Sequence, residues 1–230
     1  MSAGGQFLFR GHGHASWPLE TTLERSGGQQ LSFADYYRII AAVRPQIETF
    51  TETRWDIPEY PAIETLAKNY DELSLSFYGR FPAYSYMAYL RHHGFPSPLL
   101  DWTRTPYVAA YFAFRRPAPV NVAIYVYSER PENIKGWSSD EKQIHTLGPY
   151  VQTHRRHYLQ QSTYTICLAY GGGEWHFAPH ERVFARDNSH QDVLWKFNIP
   201  ATERVKVLKL LDGYNLNAFS LFESEEALME

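Results

Sequence analysis

A single cysteine, Cys167, stands in 230 residues, so no intrachain disulfide can form, and a reducing compartment is expected. No apolar run approaches the roughly 18 to 20 residues that span a bilayer. The opening MSAGGQFLFR lacks the basic-then-apolar pattern of a secretory leader. The expectation is therefore a cytoplasmic protein with no membrane partner. Charge of one sign is also scarce: 22 Lys and Arg against 25 Asp and Glu leave a net charge of −3. That balance argues against a protein that lives by coating nucleic acid or an anionic membrane. There is no P-loop, no Gly-x-Gly-x-x-Gly turn and no Gly-x-Ser-x-Gly elbow. Cys167 lies among apolar neighbours, where a thiol is inert packing rather than a nucleophile. Repeats, low-complexity tracts and long linkers are absent, so residues 1–230 are read as one domain.

What is abundant is aromatic. Tyr, Phe and Trp number 17, 14 and 6, and there are ten histidines. Aromatic side chains fill cores, and they also stack on flat ligands. Gln6 to Arg10 reads as a short strand, ended by a turn at Gly11-His12-Gly13-His14. Ser32 caps a helix that Pro45 should disturb. Further helices are expected over Ile63–Tyr78 and Tyr84–His93, the second closed by Gly94. An extended path through Pro96 and Pro98 then leads to Thr105-Pro106, an N-cap and N1 proline for a buried helix over Tyr107–Arg115. Strands are expected at Val120–Tyr127, Gln161–Ala169 and Leu194–Ile199, with loop and a short helix over 129–150. Gly171-Gly172-Gly173 should end the second strand, and helices should cover Glu203–Leu211 and Ser224–Glu230. Helices lead and strands cluster later. That order predicts an α+β domain, an N-terminal strand and helices followed by a mainly antiparallel sheet.

Arg10 ends a strand at a glycine turn, where a guanidinium can meet a phosphate or carboxylate, and Gly11 would let a ligand approach the backbone. His92 and His93 fall in the last turn of a helix. Asp101, between Leu100 and Trp102, needs a partner in so apolar a setting. It is a general base, a ligand contact, or the structural counter-ion of Arg10 or a histidine. No metal is expected. His176 and His180 are interrupted by Pro179, His154 and His157 have no third ligand at a matched spacing, and His12 and His14 are only a pair in a glycine turn.

Phe9-Arg10-Gly11-His12, Trp17-Pro18-Leu19, Arg25, His92-His93-Gly94-Phe95-Pro96, Leu99-Leu100-Asp101-Trp102-Thr103, Val108-Ala109 and Tyr111-Phe112-Ala113 follow one another in the order of an FRG domain. The sequence resembles that family, named for the Phe-Arg-Gly motif, from about residue 7 to Leu221-Phe222. A later family block resembles Arg156, Gln160-Gln161-Ser162 and Tyr164-Thr165, with Ser162 where glycine is usual. Ser97-Pro98 also replaces the usual Thr-Arg before Leu-Leu-Asp. The family is common in bacterial and phage-related genomes.

A second, weaker resemblance is to toxin-like ADP-ribosyltransferases, which share an aromatic-Arg-Gly strand and a following helix with Val-Ala and Phe-Ala. Asp101-Trp102-Thr103 replaces their Ser-Thr-Ser, and no glutamate opens the strand at Gln161-Ser162, where the catalytic one belongs. Glutamine keeps a hydrogen bond there but loses the charge. Asp101, Glu174 or Glu181 would substitute, or the fold would bind NAD without efficient transfer. The resemblance implies a bacterial toxin or phage-defence effector that uses NAD as substrate. Its catalytic residues would be Arg10, Asp101, His93 and Gln161. Arg10, Gly11, His12, His92, Trp102, Thr103, Ser162 and Tyr164 would contact NAD, with Trp102 or Tyr164 stacked on nicotinamide. It also implies a protein or nucleic-acid acceptor, and an antitoxin or defence-system partner. The competing reading is a non-catalytic nucleotide- or nucleic-acid-binding module, for which Arg91, Arg115-Arg116 and Arg155-Arg156 would form a basic patch.

Overall fold

The computed structural model describes residues 7–28, 31–77, 81–136 and 138–229. Gln6, Tyr78 and Glu230, at the margins of three expected elements, lie outside these. The first strand, β1 (Phe7–His12), carries on through the expected turn as far as His12, because Gly11 and His12 pair with Ile124 and Ala123. A short capped helix follows, α1 (Thr22–Arg25), in which Thr21 and Glu24 form a capping box.

Ser32 caps α2 (Phe33–Thr51), its hydroxyl accepting the Asp35 N–H at 3.1 Å. Pro45 does not end this helix. Its ring lies on the exposed side of the helix, which carries on past it to Thr51. The next expected helix is two: α3 (Tyr60–Lys68) and α4 (Tyr70–Ser76). Asn69 divides them, its side chain taking the Glu72 N–H in place of continued helix. Then α5 (Tyr84–His92) closes with Gly94 in the left-handed region at φ +83.

Leu100–Thr103 is a strand, β2, where only an extended path was expected. Thr105 and Pro106 start α6 (Pro106–Phe114) as the sequence indicates. After β3 (Val122–Ser128), the expected 129–150 loop contains β4 (Gln143–Leu147). One turn of helix, α7 (Arg156–Leu159), leads into β5 (Ser162–Gly171). Gly172 and Gly173, both at positive φ, fold β6 (Glu174–Phe177) back on it. Last come α8 (Glu181–Phe184), β7 (Val193–Ile199), α9 (Arg204–Gly213) and α10 (Ala218–Phe222). The expected terminal helix shrinks to a single 3-10 turn over Glu226–Leu228.

Among the described residues the strands form one antiparallel sheet of seven, ordered β4-β5-β2-β1-β3-β7, with β6 also on β5. The class is α+β, as the order of elements predicts. Alternation along β3 does not divide core from solvent: Ala123 and Tyr127 are buried on one face and Val122 on the other. Helices α2 to α5 pack over β5 and β6 through Ile40, Leu73, Tyr86, Ile166 and Trp175. Helices α6 and α9 cover β1 and β3.

Candidate functional site

Strands β1 and β2 are in register at Phe9 and Thr103. Beyond that pair, Arg10 to His12 pair only with β3, and the two strands part. A cleft of about 680 Å3 opens there, within the size range of small-molecule sites. Its floor is Phe9 to Gly13 and Asp101 to Thr103, and its walls come from Trp17 to Glu20, the end of α5, α6, α7 and Phe222.

The charged groups are organised around one carboxylate. Arg10 donates through Nη1 to the Asp101 carbonyl at 2.6 Å and stands 3.7 Å from the Asp101 carboxylate, which also accepts a hydrogen bond from Arg91. Arg10 Nε donates to His12 Nε2 at 3.0 Å. His12 in turn donates from Nδ1 to the Trp17 carbonyl, which fixes its tautomer. Burial and the neighbouring Arg10 push the His12 pKa down to about 3, so its ring is neutral and can accept from the guanidinium. Burial also lowers Arg10 to about 10, opposed by Asp101, and it remains a cation at neutral pH. His92 is driven down to about 4, chiefly by burial. The cleft therefore carries Arg10, Arg25, Arg91 and Arg156 against Glu20 and Asp101, an excess of two positive charges in a chain of net charge −3. The Nε donors of Arg91 and Arg156 are buried with no hydrogen-bond partner. Such orphaned cationic donors match a ligand with anionic oxygens.

A family model described as the FRG domain matches residues 5–121. The chain belongs to the FRG domain family. No curated protein and no solved structure matches it. The matched stretch of the FRG domain supplies the floor of the cleft. Arg156, Gln160, Ser162 and Phe222 come from beyond it.

The three residues that name the FRG domain now have separate reasons. Phe9 marks the register with β2, and Arg10 is the cation held over Asp101. Gly11 answers to packing: a Cβ there would stand 1.9 Å from the Ala109 carbonyl oxygen of α6. Only glycine lets that helix sit on β1.

Of the residues expected at the site, Arg10, Gly11, His12, His92, Asp101, Trp102, Thr103 and Ser162 line the cleft. Their side chains differ in availability. Trp102 is buried, donates from Nε1 to Thr165 Oγ1 at 2.9 Å and stacks on Tyr127, so its indole belongs to the core. Tyr164 is fully buried, bonded to His92 at 2.8 Å and stacked on His157. Neither ring is free to lie on nicotinamide. Thr103 donates its hydroxyl to the Gln160 carbonyl. Two expected residues stand apart: His93 packs on Tyr89 and His154, and Gln161 is an exposed turn residue at φ 47. Gln160, one place earlier, faces the cleft instead.

The substitute acids Glu174 and Glu181 are also elsewhere, on the β5–β6 hairpin and against the Leu19 N–H. Sequence reasoning passed over Glu20, whose charge stands in the β1–α1 loop without a motif to flag it. From the expected basic patch, Arg91 and Arg156 enter the cleft, while Arg115 stacks on Phe222 at 4.4 Å. Among the described residues no group of three or more His, Cys, Asp or Glu could hold a metal, and no helix is long and apolar enough to cross a membrane.

Proposed function

We propose that the cleft binds a dinucleotide of the NAD type and that the protein is an ADP-ribosyltransferase-like effector. The observation that carries this is the four-arginine cleft with two unpartnered buried donors. Arg10 and Arg91, held side by side by Asp101, take the diphosphate, and His12 and Thr103 keep Arg10 and the β2 end in place. Breaking the bond between nicotinamide and ribose builds positive charge on the sugar, and a carboxylate near it lowers that barrier. Asp101 is already engaged by two arginines, so Glu20 is the acid assigned this role. Water or a macromolecular acceptor then takes the ADP-ribosyl group. A role as a toxin or in phage defence would follow from loss of NAD or from modification of that acceptor.

Nicotinamide release from NAD, with cell extract as acceptor source, tests the reading. Wild type should release it, and Arg10→Ala and Glu20→Gln should cut the rate at least a hundredfold while staying folded. No release and no NAD binding by calorimetry would overturn it. A second reading, a nucleotide-binding module without catalysis, is favoured by the same engagement of Asp101. It expects tight NAD binding with no turnover and no effect of Glu20→Gln.

A further inference from the structure

Trp17 is half out in solvent, 56 % exposed, yet it lines the cleft. Its backbone is fixed on both sides. The carbonyl accepts from His12 Nδ1 at 3.3 Å and from the Tyr125 hydroxyl at 3.4 Å, and the N–H donates to the His14 carbonyl at 3.1 Å. The indole has two ring neighbours: His14 lies near parallel to it, 5.9 Å between centroids and 16° from parallel, and His12 meets it edge-on at 6.3 Å. His14 is itself tethered, Nδ1 accepting the Ser16 N–H at 3.2 Å. A large apolar ring left this wet gains little for folding. Other strongly exposed aromatics, such as Phe50 and Tyr150, do not face the cleft.

We propose that Trp17 is the platform on which the planar base of a nucleotide stacks, with Arg10 and Arg91 meeting the diphosphate that follows it. This rests on the nucleotide reading of the cleft and gives it a specificity-determining residue. The geometry couples the two ends of the ligand. One histidine, His12, orients the guanidinium through Nε2 and the tryptophan loop through Nδ1, so base and phosphate sites keep a fixed separation. With the Trp17 backbone already fixed, binding orders little of the loop.

Calorimetry on wild type, Trp17→Ala and Trp17→Phe, with NAD, ADP and inorganic pyrophosphate as probes, tests this. Stacking accounts for about tenfold or more in affinity per base. Trp17→Ala should therefore weaken NAD and ADP by that factor and leave pyrophosphate unchanged, and Trp17→Phe should recover most of the loss. Unchanged NAD and ADP binding by Trp17→Ala would overturn the platform. So would an equal loss for pyrophosphate, which would make the ring a prop for its loop. If wild type binds pyrophosphate but neither nucleotide, the base site falls and the cationic cleft stands. If it binds none of the three, the nucleotide reading falls and takes the platform with it.

Discussion

At the scale of single residues, Asp101 and Gly11 show how differently neighbouring parts of one site are constrained. Asp101 holds two guanidinium groups that would otherwise repel, and its side chain is 36 % exposed, so its worth lies in position more than in stability. Asp101→Asn should leave the melting temperature within a few degrees and weaken anion binding, since Arg10 and Arg91 lose their common anchor. Pyrophosphate calorimetry beside thermal unfolding separates the two effects. Gly11→Ala should do the reverse. The added methyl meets the backbone of α6, which cannot step aside as a flexible side chain could. Such overpacking costs about 3 kcal/mol, which for a chain of this size lowers the melting temperature by about 6–12 °C. A melting temperature equal to wild type would contradict the helix-on-strand account.

At the scale of elements, α10 supplies one wall of the cleft through Phe222. Ala218 and Leu221 seat it in an apolar cluster with Val108, Tyr111 and Leu211, Gln160 donates to the Leu221 carbonyl at 3.1 Å, and Arg155 reaches the Glu223 carbonyl and carboxylate. Phe222 stands between two guanidinium groups, Arg115 at 4.4 Å and Arg156 at 5.4 Å from its ring centroid. Each such contact contributes about 0.5–1 kcal/mol near the surface. Phe222→Ala should leave the fold intact and free Arg156 to swing, reducing affinity for pyrophosphate severalfold. Equal affinity in this variant would mean that Arg156 is positioned without the ring. Element boundaries also show where local chemistry overrode the hydrophobic period. Asn69 cut one expected helix into two, and Pro45, on the wet side, failed to end another.

At the scale of the whole molecule, buried neutral histidines set the response to acid. His145 is lowered to about 2, His12 and His180 to about 3, burial being the largest cause in each. A histidine depressed in the fold is neutral there while the unfolded chain takes up a proton below about pH 6.5. Stability is therefore full above that pH and falls as pH drops toward the folded values. At pH 5 each of the three well-buried rings costs about 2 kcal/mol, a large part of the usual 5–15 kcal/mol. Urea unfolding should show a sharp loss between pH 7 and pH 5. A flat profile over that interval would mean that these rings are protonated in the fold. Salt is not expected to rescue the loss, because the cause is desolvation rather than repulsion at the surface.

The α+β class, the caps at Ser32 and Thr105, the glycine stop at Gly94 and the Phe-Arg-Gly signature were legible in the sequence, because each rests on local chemistry or on order along the chain. So was the need of Asp101 for a partner, since a carboxylate among apolar neighbours demands one, though not which: Arg10 was one of several candidates, and Arg91 joins it only in the fold. Strands β2, β4 and β6 were not, because four- and five-residue strands between others carry little period of their own and exist through their partners. Nor could the sequence decide which aromatic faces a ligand. Trp102 and Trp17 read alike along the chain, and only the sheet buries the first against Tyr127 while the parting of β1 and β2 leaves the second at the mouth of the cleft. Exposure is a property of what packs against a side chain, and that is settled by residues far away in sequence.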